Sequence, residues 1–403
     1  MKDRKVVVTG MGVTTALGDS PDIFYENLLK GLDAVKCVEE SFGIRLKRKN
    51  AVQMSHDFSV PVHWKEYYKA VQVALLTAKK ALQDARIKPD AFGYNMGISF
   101  GTTLGAIAEI QKDYCDGGSK GYLHINKNKL IQFSYNTIMD AIAYEFRIKG
   151  MRNTLGLACA SSSCAIGQAF RTVQNGRLDA VLCGGSDLFS LISHLIMTSM
   201  RLISPDKPKP FDKTHNGLIL GEGAGFLVLE SEESAKRRNA NIYCEILGYG
   251  ETCVAQNLSH SDEEGKGLSL AMRHALKESG CNIQEITYIN AHGVGTKSMD
   301  EIEVKAIHNV FGDHVKNLRI SSIKGAIGHS SGASGALDDI ISIMTLLHNK
   351  IPPTLNVCSE NTISDLNIIC DDFESVELNR IMSNSVAIGG INSSIIFGRY
   401  TNG

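Results

Sequence analysis

The sequence Asn153-Thr-Leu-Gly-Leu-Ala-Cys-Ala-Ser-Ser-Ser-Cys164 is followed, as far as Gly176, by a segment in which apolar and polar residues alternate. A short strand over 153–158 leads into a turn of small residues at Cys159. Alanine, isoleucine and phenylalanine then recur at helical spacing as far as about Asn175. A buried strand that turns directly into a helix is a building unit of α/β proteins. The stretch therefore predicts an α/β fold with a cysteine at a strand-to-helix turn.

The same pattern returns later in the chain. Arg319 to Ile323 predicts a strand, Lys324 to Ser331 a turn rich in glycine and serine, and the residues to about Leu347 an apolar helix. Each unit follows a helix and a strand, which we predict over 66–86 and 94–101, and over 268–279 and 286–290. We interpret the chain as a diverged duplication with halves 1–240 and 241–403. The alternative is that the similarity is only the repeated order of elements that any alternating α/β chain shows.

Composition excludes several classes of protein. The chain has 403 residues, 43% hydrophobic and 21% charged, which is typical of globular domains. Lys and Arg number 42 against 43 Asp and Glu, so a global basic field for nucleic acid is absent. The first apolar run, Val6 to Val8, is too short for a signal peptide or a membrane span, and we expect a cytoplasmic protein that binds neither nucleic acid nor membrane.

Cofactor motifs are also missing. Gly10-Met-Gly12 follows the first predicted strand, Lys5 to Thr9, but Thr15 stands where a dinucleotide fingerprint has its third glycine. The 12 histidines and 10 cysteines show no metal-binding spacing, and the cysteines are interpreted as free thiols. We therefore expect no metal and no cofactor.

The residue best placed for covalent chemistry is Cys159. Backbone N–H groups at a helix N-terminus favour a thiolate, so we expect a lowered thiol pKa, and the same groups can hold an oxyanion. The alternative is a buried structural cysteine, which suits Cys164 inside the helix better.

Two histidines and a lysine follow predicted strands in the second half. His292 ends the strand that begins at Ile286, and Ser298-Met-Asp-Glu301 predicts a capping box that opens the next helix. Lys324 and His329 share one glycine-rich turn, where burial of the lysine calls for a carboxylate partner; Glu303 is the candidate. A satisfied core histidine is the alternative for His292.

Taken in order, these motifs resemble the elongating β-ketoacyl-acyl carrier protein synthases of the thiolase superfamily. The resemblance covers nearly the whole chain and includes the following segments: Val6 to Gly12, Cys159, Gly221 to Glu230, Asn290 to Gly293 with Asp300 and Glu303, Lys324 with Gly328-His329, and Gly389 to Asn392. It implies a thiolase-like, five-layered αβαβα fold made of two duplicated α/β halves.

The resemblance also implies roles. Cys159 would accept the acyl chain, while His292 and His329 would donate hydrogen bonds to the thioester oxygen of a malonyl extender. Lys324, paired with Glu303, would order the charge of the pocket. The backbone N–H groups of Cys159 and Ile388 would form the oxyanion hole. The implied substrate-binding residues are Val294, Thr296, Gly389, Gly390 and Asn392. The reaction would be decarboxylative condensation without a cofactor.

Partners follow from the same resemblance. An acidic acyl carrier protein would bring both thioesters, and Lys65, Lys69 and the run Arg45 to Lys49 are candidates for a basic docking rim. A dimer is implied, either with a second copy or with a chain-length-factor paralogue, with the strand near Val181 to Gly185 close to the twofold axis.

Departures from the family pattern favour a specialised polyketide or polyene pathway over housekeeping fatty acid synthesis. Val294 replaces a threonine, Ile388 replaces a phenylalanine, and the stretch Ser199 to Phe211 is short. Four alternatives stay open: a nucleotide-dependent oxidoreductase, a noncatalytic chain-length partner, a degradative thiolase and a thiolase-like acyltransferase. The failed glycine spacing disfavours the first, Cys159 the second, and the turn with Lys324 and His329 the third.

Overall fold

The structure is a computed structural model that describes residues 4–37, 46–55, 58–118, 126–256 and 262–401. The strands in these ranges are β1 (Val6–Thr15), β2 (Lys36–Cys37), β3 (Asn50–Ala51), β4 (Met96–Gly101), β5 (Arg152–Leu155), β6 (Ala180–Asp187), β7 (Gly223–Ser231), β8 (Cys244–Cys253), β9 (Tyr288–Asn290), β10 (Arg319–Ser321), β11 (Lys350–Ile351), β12 (Glu374–Ser375), β13 (Arg380–Val386) and β14 (Ile391–Gly398). The α-helices are α1 (Pro21–Leu29), α2 (Lys69–Asp84), α3 (Ile107–Asp116), α4 (Lys127–Leu130), α5 (Asn136–Phe146), α6 (Ser161–Gln174), α7 (Leu191–Ser199), α8 (Glu232–Arg237), α9 (Lys266–Ser279), α10 (Lys297–Phe311), α11 (Lys324–Ile327) and α12 (Ser334–His348).

The strand order of the large sheet repeats the same pattern in each half of the chain. Ten strands pair in the order β10-β9-β13-β14-β8-β1-β7-β6-β4-β5. In the first half β5, β4 and β6 are parallel, and β7 and β1 follow antiparallel. In the second half β10, β9 and β13 are parallel, and β14 and β8 follow antiparallel. Each half therefore repeats one five-stranded pattern, and the two patterns meet at β1 and β8 over only three residue pairs.

Helices complete the layers. α6 and α12 pack on each other and on strands of both halves, α2 and α5 cover the outer face of the first half, and α9 and α10 cover that of the second. The described residues form three large buried apolar clusters. One surrounds α6 and α12, the second lies under α2 and α5, and the third lies under α9 and α10. This αβαβα arrangement confirms the predicted fold class. The division at residues 240 and 241 stays a prediction.

Two local predictions were wrong. β1 does not end at Thr9 but continues to Thr15, where it still pairs with β7. Its glycines let α2 pack directly on the strand: a Cβ at Gly12 would lie 2.4 Å from the Thr77 carbonyl oxygen. The predicted capping box is also absent, since α10 begins at Lys297 after Thr296, whose side chain makes no capping hydrogen bond.

The edges of the sheet bear on assembly. β6, which contains Val181 to Gly185, is paired on both sides, and the edge strand of the first half is β5. An additional strand could reach β5 but not β6.

No helix within the described ranges is both long and apolar enough to cross a bilayer.

Candidate active site

The turn after β5 holds Cys159 in a fixed position. Ala158 has φ 47°, a left-handed conformation that residues with a Cβ seldom adopt. The Ser161 hydroxyl donates to the Ala158 carbonyl oxygen at 2.6 Å and accepts the Leu157 N–H at 2.8 Å. These bonds stabilise the strained turn and set Cys159 immediately before α6.

The Cys159 thiol has two opposing influences on its pKa. Burial is the larger one and raises the pKa to about 11. Backbone N–H groups of Ile388 and Cys159 that contact the sulfur, and the charge of Lys324, act in the opposite direction. The expectation of a lowered pKa is therefore wrong, because loss of water around the sulfur outweighs these donors. The same contacts place both predicted oxyanion-hole N–H groups beside the sulfur.

The two predicted histidines face each other. Their ring centroids are 5.4 Å apart and the rings are nearly perpendicular, at 89°. His329 Nδ1 lies 2.7 Å from the Ser334 hydroxyl, whereas His329 Nε2 and His292 Nδ1 are buried without a hydrogen-bond partner among the described residues. Unpartnered buried nitrogens are costly in a core, which favours a site that a ligand completes.

Both imidazoles are held neutral. Burial, followed by the charge of Lys324, lowers the pKa of His329 to about 3. The pKa of His292 falls well below its usual value for the same two reasons, with a further contribution from His329. A neutral imidazole has one N–H to donate, so the pair can supply two donors without positive charge.

Two carboxylates of α10 hold the loop that carries His292. Glu303 accepts the backbone N–H groups of residues 292 and 293 at 2.9 and 2.8 Å. Asp300 accepts those of residues 294 and 295, both at 3.1 Å. Burial raises the pKa of Glu303 to about 7 despite these donors. Glu303 therefore shapes the loop behind His292 and does not line the cavity.

The partner predicted for Lys324 was wrong. Its Nζ lies 2.6 Å from Asp338 Oδ2, and both side chains are almost completely buried. α11 begins at Lys324 and α12 follows closely, so Asp338 on α12 reaches the Lys324 ammonium. The carboxylate oxygens of Glu303 instead accept backbone N–H groups. The sequence did hold a signal for Asp338, since Asp338-Asp339 interrupts an otherwise apolar helix.

One cavity of about 220 Å³ joins the reactive groups. Cys159, His292, His329 and Ile388 all line it, although the two histidines and Cys159 come from different halves of the chain. Its wall is largely apolar and includes Met197, Met200 and Met299. An apolar wall lowers the local dielectric constant, which strengthens electrostatic stabilisation of developing charge.

The predicted substrate-binding residues divide into two groups. Val294 and Thr296 line the cavity, and the Thr296 hydroxyl is buried without a partner among the described residues. Gly389, Gly390 and Asn392 do not line it. Asn392 Nδ2 instead donates to the Gly390 carbonyl oxygen at 3.0 Å, so these three residues shape the turn that presents Ile388.

Comparisons with known proteins agree with this geometry. Residues 3–235 match the family described as Beta-ketoacyl synthase, N-terminal domain, and residues 243–358 match Beta-ketoacyl synthase, C-terminal domain. The chain is 30% identical to 3-oxoacyl-[acyl-carrier-protein] synthase 2 of Coxiella burnetii over 411 residues, which covers 99% of both proteins.

Solved structures give the same result. The ishigamide ketosynthase/chain length factor superposes with a TM-score of 0.91 at 30% identity, covering 99% of this chain and 100% of that one. The complex named AntDE:AntF, a type II polyketide acyl-carrier protein with its ketosynthase, superposes with a TM-score of 0.90 at 26% identity and the same coverage. This chain therefore belongs to the β-ketoacyl synthase family and is an acyltransferase-type condensing enzyme.

Proposed function

We propose that the protein condenses a malonyl unit, delivered as a thioester of an acyl carrier protein, with an acyl chain held as a thioester on Cys159. The observation that carries this proposal is the single apolar cavity onto which Cys159, His292 and His329 open. A sulfur that shares a cavity with two neutral N–H donors suits acyl transfer followed by enolate formation.

Acyl transfer comes first. The Cys159 sulfur attacks the carbonyl carbon of the acyl carrier thioester, and the N–H groups of Cys159 and Ile388 stabilise the resulting oxyanion. Collapse expels the carrier thiol, which leaves with the proton that Cys159 gives up. The raised pKa of Cys159 keeps the resting enzyme in its thiol form.

Decarboxylation follows on the same cavity. The bond between the malonyl carboxylate and its α-carbon breaks, CO₂ departs, and the electron pair forms an enolate on the thioester. His292 and His329 donate to the enolate oxygen. For His329 this requires a proton on Nε2, so the Ser334 hydroxyl donates to Nδ1.

Condensation closes the cycle. The enolate carbon attacks the acyl carbonyl on Cys159, and the second oxyanion collapses with the Cys159 thiolate as leaving group. That thiolate takes one proton from solvent. The products are a carrier-bound 3-oxoacyl chain two carbons longer and CO₂.

The predicted basic run supports docking of an acidic carrier protein. Arg45 lies outside the described residues, but the residues that follow it are described. Lys47, Arg48 and Lys49 are exposed, and the Arg48 carbonyl oxygen lies 2.7 Å from Nε2 of His194 on α7. The same helix carries Met197 of the cavity wall. We place this encounter in the cytoplasm, and we propose a dimer formed with a second copy or with a chain-length-factor paralogue.

A specialised polyketide or polyene pathway is our proposal for the biological role. Val294 and Ile388, two of the three departures from the family pattern, both line the cavity, so they act where substrates bind. A preference for ordinary saturated fatty acyl chains in acyl-loading assays would contradict this role.

The test of the proposed function is product formation. Purified protein is mixed with acyl carrier and malonyl carrier thioesters, and the carrier-bound products are weighed by mass spectrometry. We expect a 3-oxoacyl product two carbons longer together with CO₂. A protein that loads acyl chains but never extends them would contradict the proposal.

A further inference from the structure

A buried histidine lies behind the active-site cavity. His215 is 8% exposed and does not line the cavity. Its Nδ1 is 3.1 Å from Oδ2 of Asp300, which is fully buried. A carboxylate only accepts hydrogen bonds, so Nδ1 carries the proton in this contact.

Asp300 links two segments of the chain. Its Oδ1 accepts the N–H groups of residues 294 and 295, which belong to the loop of His292. Its Oδ2 accepts the Phe211 N–H at 2.8 Å and the His215 ring. We infer that His215 is a positioning residue, which fixes the His292 loop by completing the hydrogen bonds of Asp300.

The segment around His215 packs on that loop in two further places. Phe211 has φ 63°, and its ring lies so close to Gly293 that a Cβ there would be 2.6 Å from it. The Gly217 N–H donates to the Gly295 carbonyl oxygen at 2.9 Å. Loss of the His215 donor would leave Asp300 Oδ2 with only the Phe211 N–H among its described contacts. A buried carboxylate that loses a donor pulls on its remaining partners.

The inference rests on the proposed function, because it assigns the His292 loop to decarboxylation. Cys159 is held by the turn after β5, which has no described hydrogen bond to Asp300 or His215. A displaced His292 should therefore slow CO₂ release from malonyl carrier thioester and leave acyl loading of Cys159 intact. Displacements of about 1 Å at a catalytic group can lower a rate as much as about 100-fold.

The experiment compares His215→Asn with His215→Gln. The asparagine amide nitrogen falls near the position of Nδ1, whereas that of glutamine falls near Nε2. We expect the Asn variant to release CO₂ within about twofold of wild type and the Gln variant to be slowed about tenfold or more, with acyl loading unchanged in both. His314→Leu is the matched control, because it removes a histidine bond to the Ile286 carbonyl at the opposite end of β9; it should release CO₂ normally.

Four results would overturn the inference. CO₂ release by the Gln variant at the wild-type rate would show that the donor at Nδ1 does not matter. Equal losses in the Asn and Gln variants, or equal losses in acyl loading and CO₂ release, would show a general structural role. Failure of the wild-type protein to release CO₂ would remove the proposed function itself, and the inference with it.

Discussion

The turns after β5 and β10 occupy equivalent places in the two halves, yet they present different chemistry. In the first half, residues 156–160 suffice to join strand to helix, and they present a sulfur. In the second half, residues 322–333 make the same connection, insert α11, and present Lys324 and His329. Under the proposed function, one repeated frame supplies two half-reactions, because the turn and not the sheet carries the reactive groups.

The longer second turn explains how a lysine can be buried there. Its extra residues let Lys324 fold back on Asp338 of α12 while His329 continues toward the cavity. The short first turn has no room for such a pair and relies on backbone N–H groups and a strained Ala158.

Removing the sulfur should have the largest effect. Cys159→Ala takes away the acyl acceptor, so condensation should fall on the order of 10⁴-fold or more. CO₂ release from malonyl carrier thioester should continue, because the second turn remains intact. Parallel assays of CO₂ and 3-oxoacyl product check this; loss of both activities in a folded variant would disprove the division between the halves.

Removing an imidazole should slow CO₂ release but leave acyl loading of Cys159 intact. His329→Ala deletes one enolate donor, and CO₂ release should fall roughly 10²- to 10³-fold, the usual cost of losing one oxyanion donor. Acyl loading of Cys159, followed by intact mass, should persist. His314→Leu again serves as the control. Normal CO₂ release by the His329 variant would exclude the assigned role.

Breaking the buried ion pair should affect stability. Lys324→Met leaves Asp338 buried without its partner, at a cost of about 3 kcal/mol in the free energy of unfolding. The double variant Lys324→Met with Asp338→Leu should recover most of that loss but not the activity, since the Lys324 charge also lowers the pKa of both histidines. Chemical denaturation measures the loss and recovery of stability, and CO₂ assays measure the activity. A double variant with full activity would contradict the prediction.

The smallest effect concerns pH. Because burial raises the thiol pKa of Cys159 to about 11, its thiolate fraction should rise roughly tenfold per unit between pH 7 and pH 10. Alkylation by iodoacetamide, measured as the difference between wild type and Cys159→Ala, should follow that slope. A rate that levels off below pH 8 would restore the sequence-based expectation of a lowered pKa.

Much of the site could be predicted because it is local. The small residues around Cys159 and the strand-end position of His292 are short-range patterns. They predicted an α/β fold, and the family resemblance built on them implied the five layers and three residues that share the cavity.

What sequence could not settle depends on contacts between distant segments. Glu303 was the nearest acid by pattern, but its oxygens are used by backbone N–H groups, and Asp338 reaches Lys324 only because α12 packs between the half-sheets. The pKa of Cys159 was misjudged because depth of burial is not visible in a sequence. The contact of His215 with Asp300 joins segments that no motif connects.

The most direct test of the central claim is to locate the acyl group. Protein incubated with an acyl carrier thioester is digested, and the acylated peptide is mapped by mass spectrometry before and after malonyl carrier thioester is added. We predict an acyl adduct on Cys159 that disappears on addition of malonyl thioester. An adduct on another residue, or one that survives in Cys159→Ala, would contradict the account.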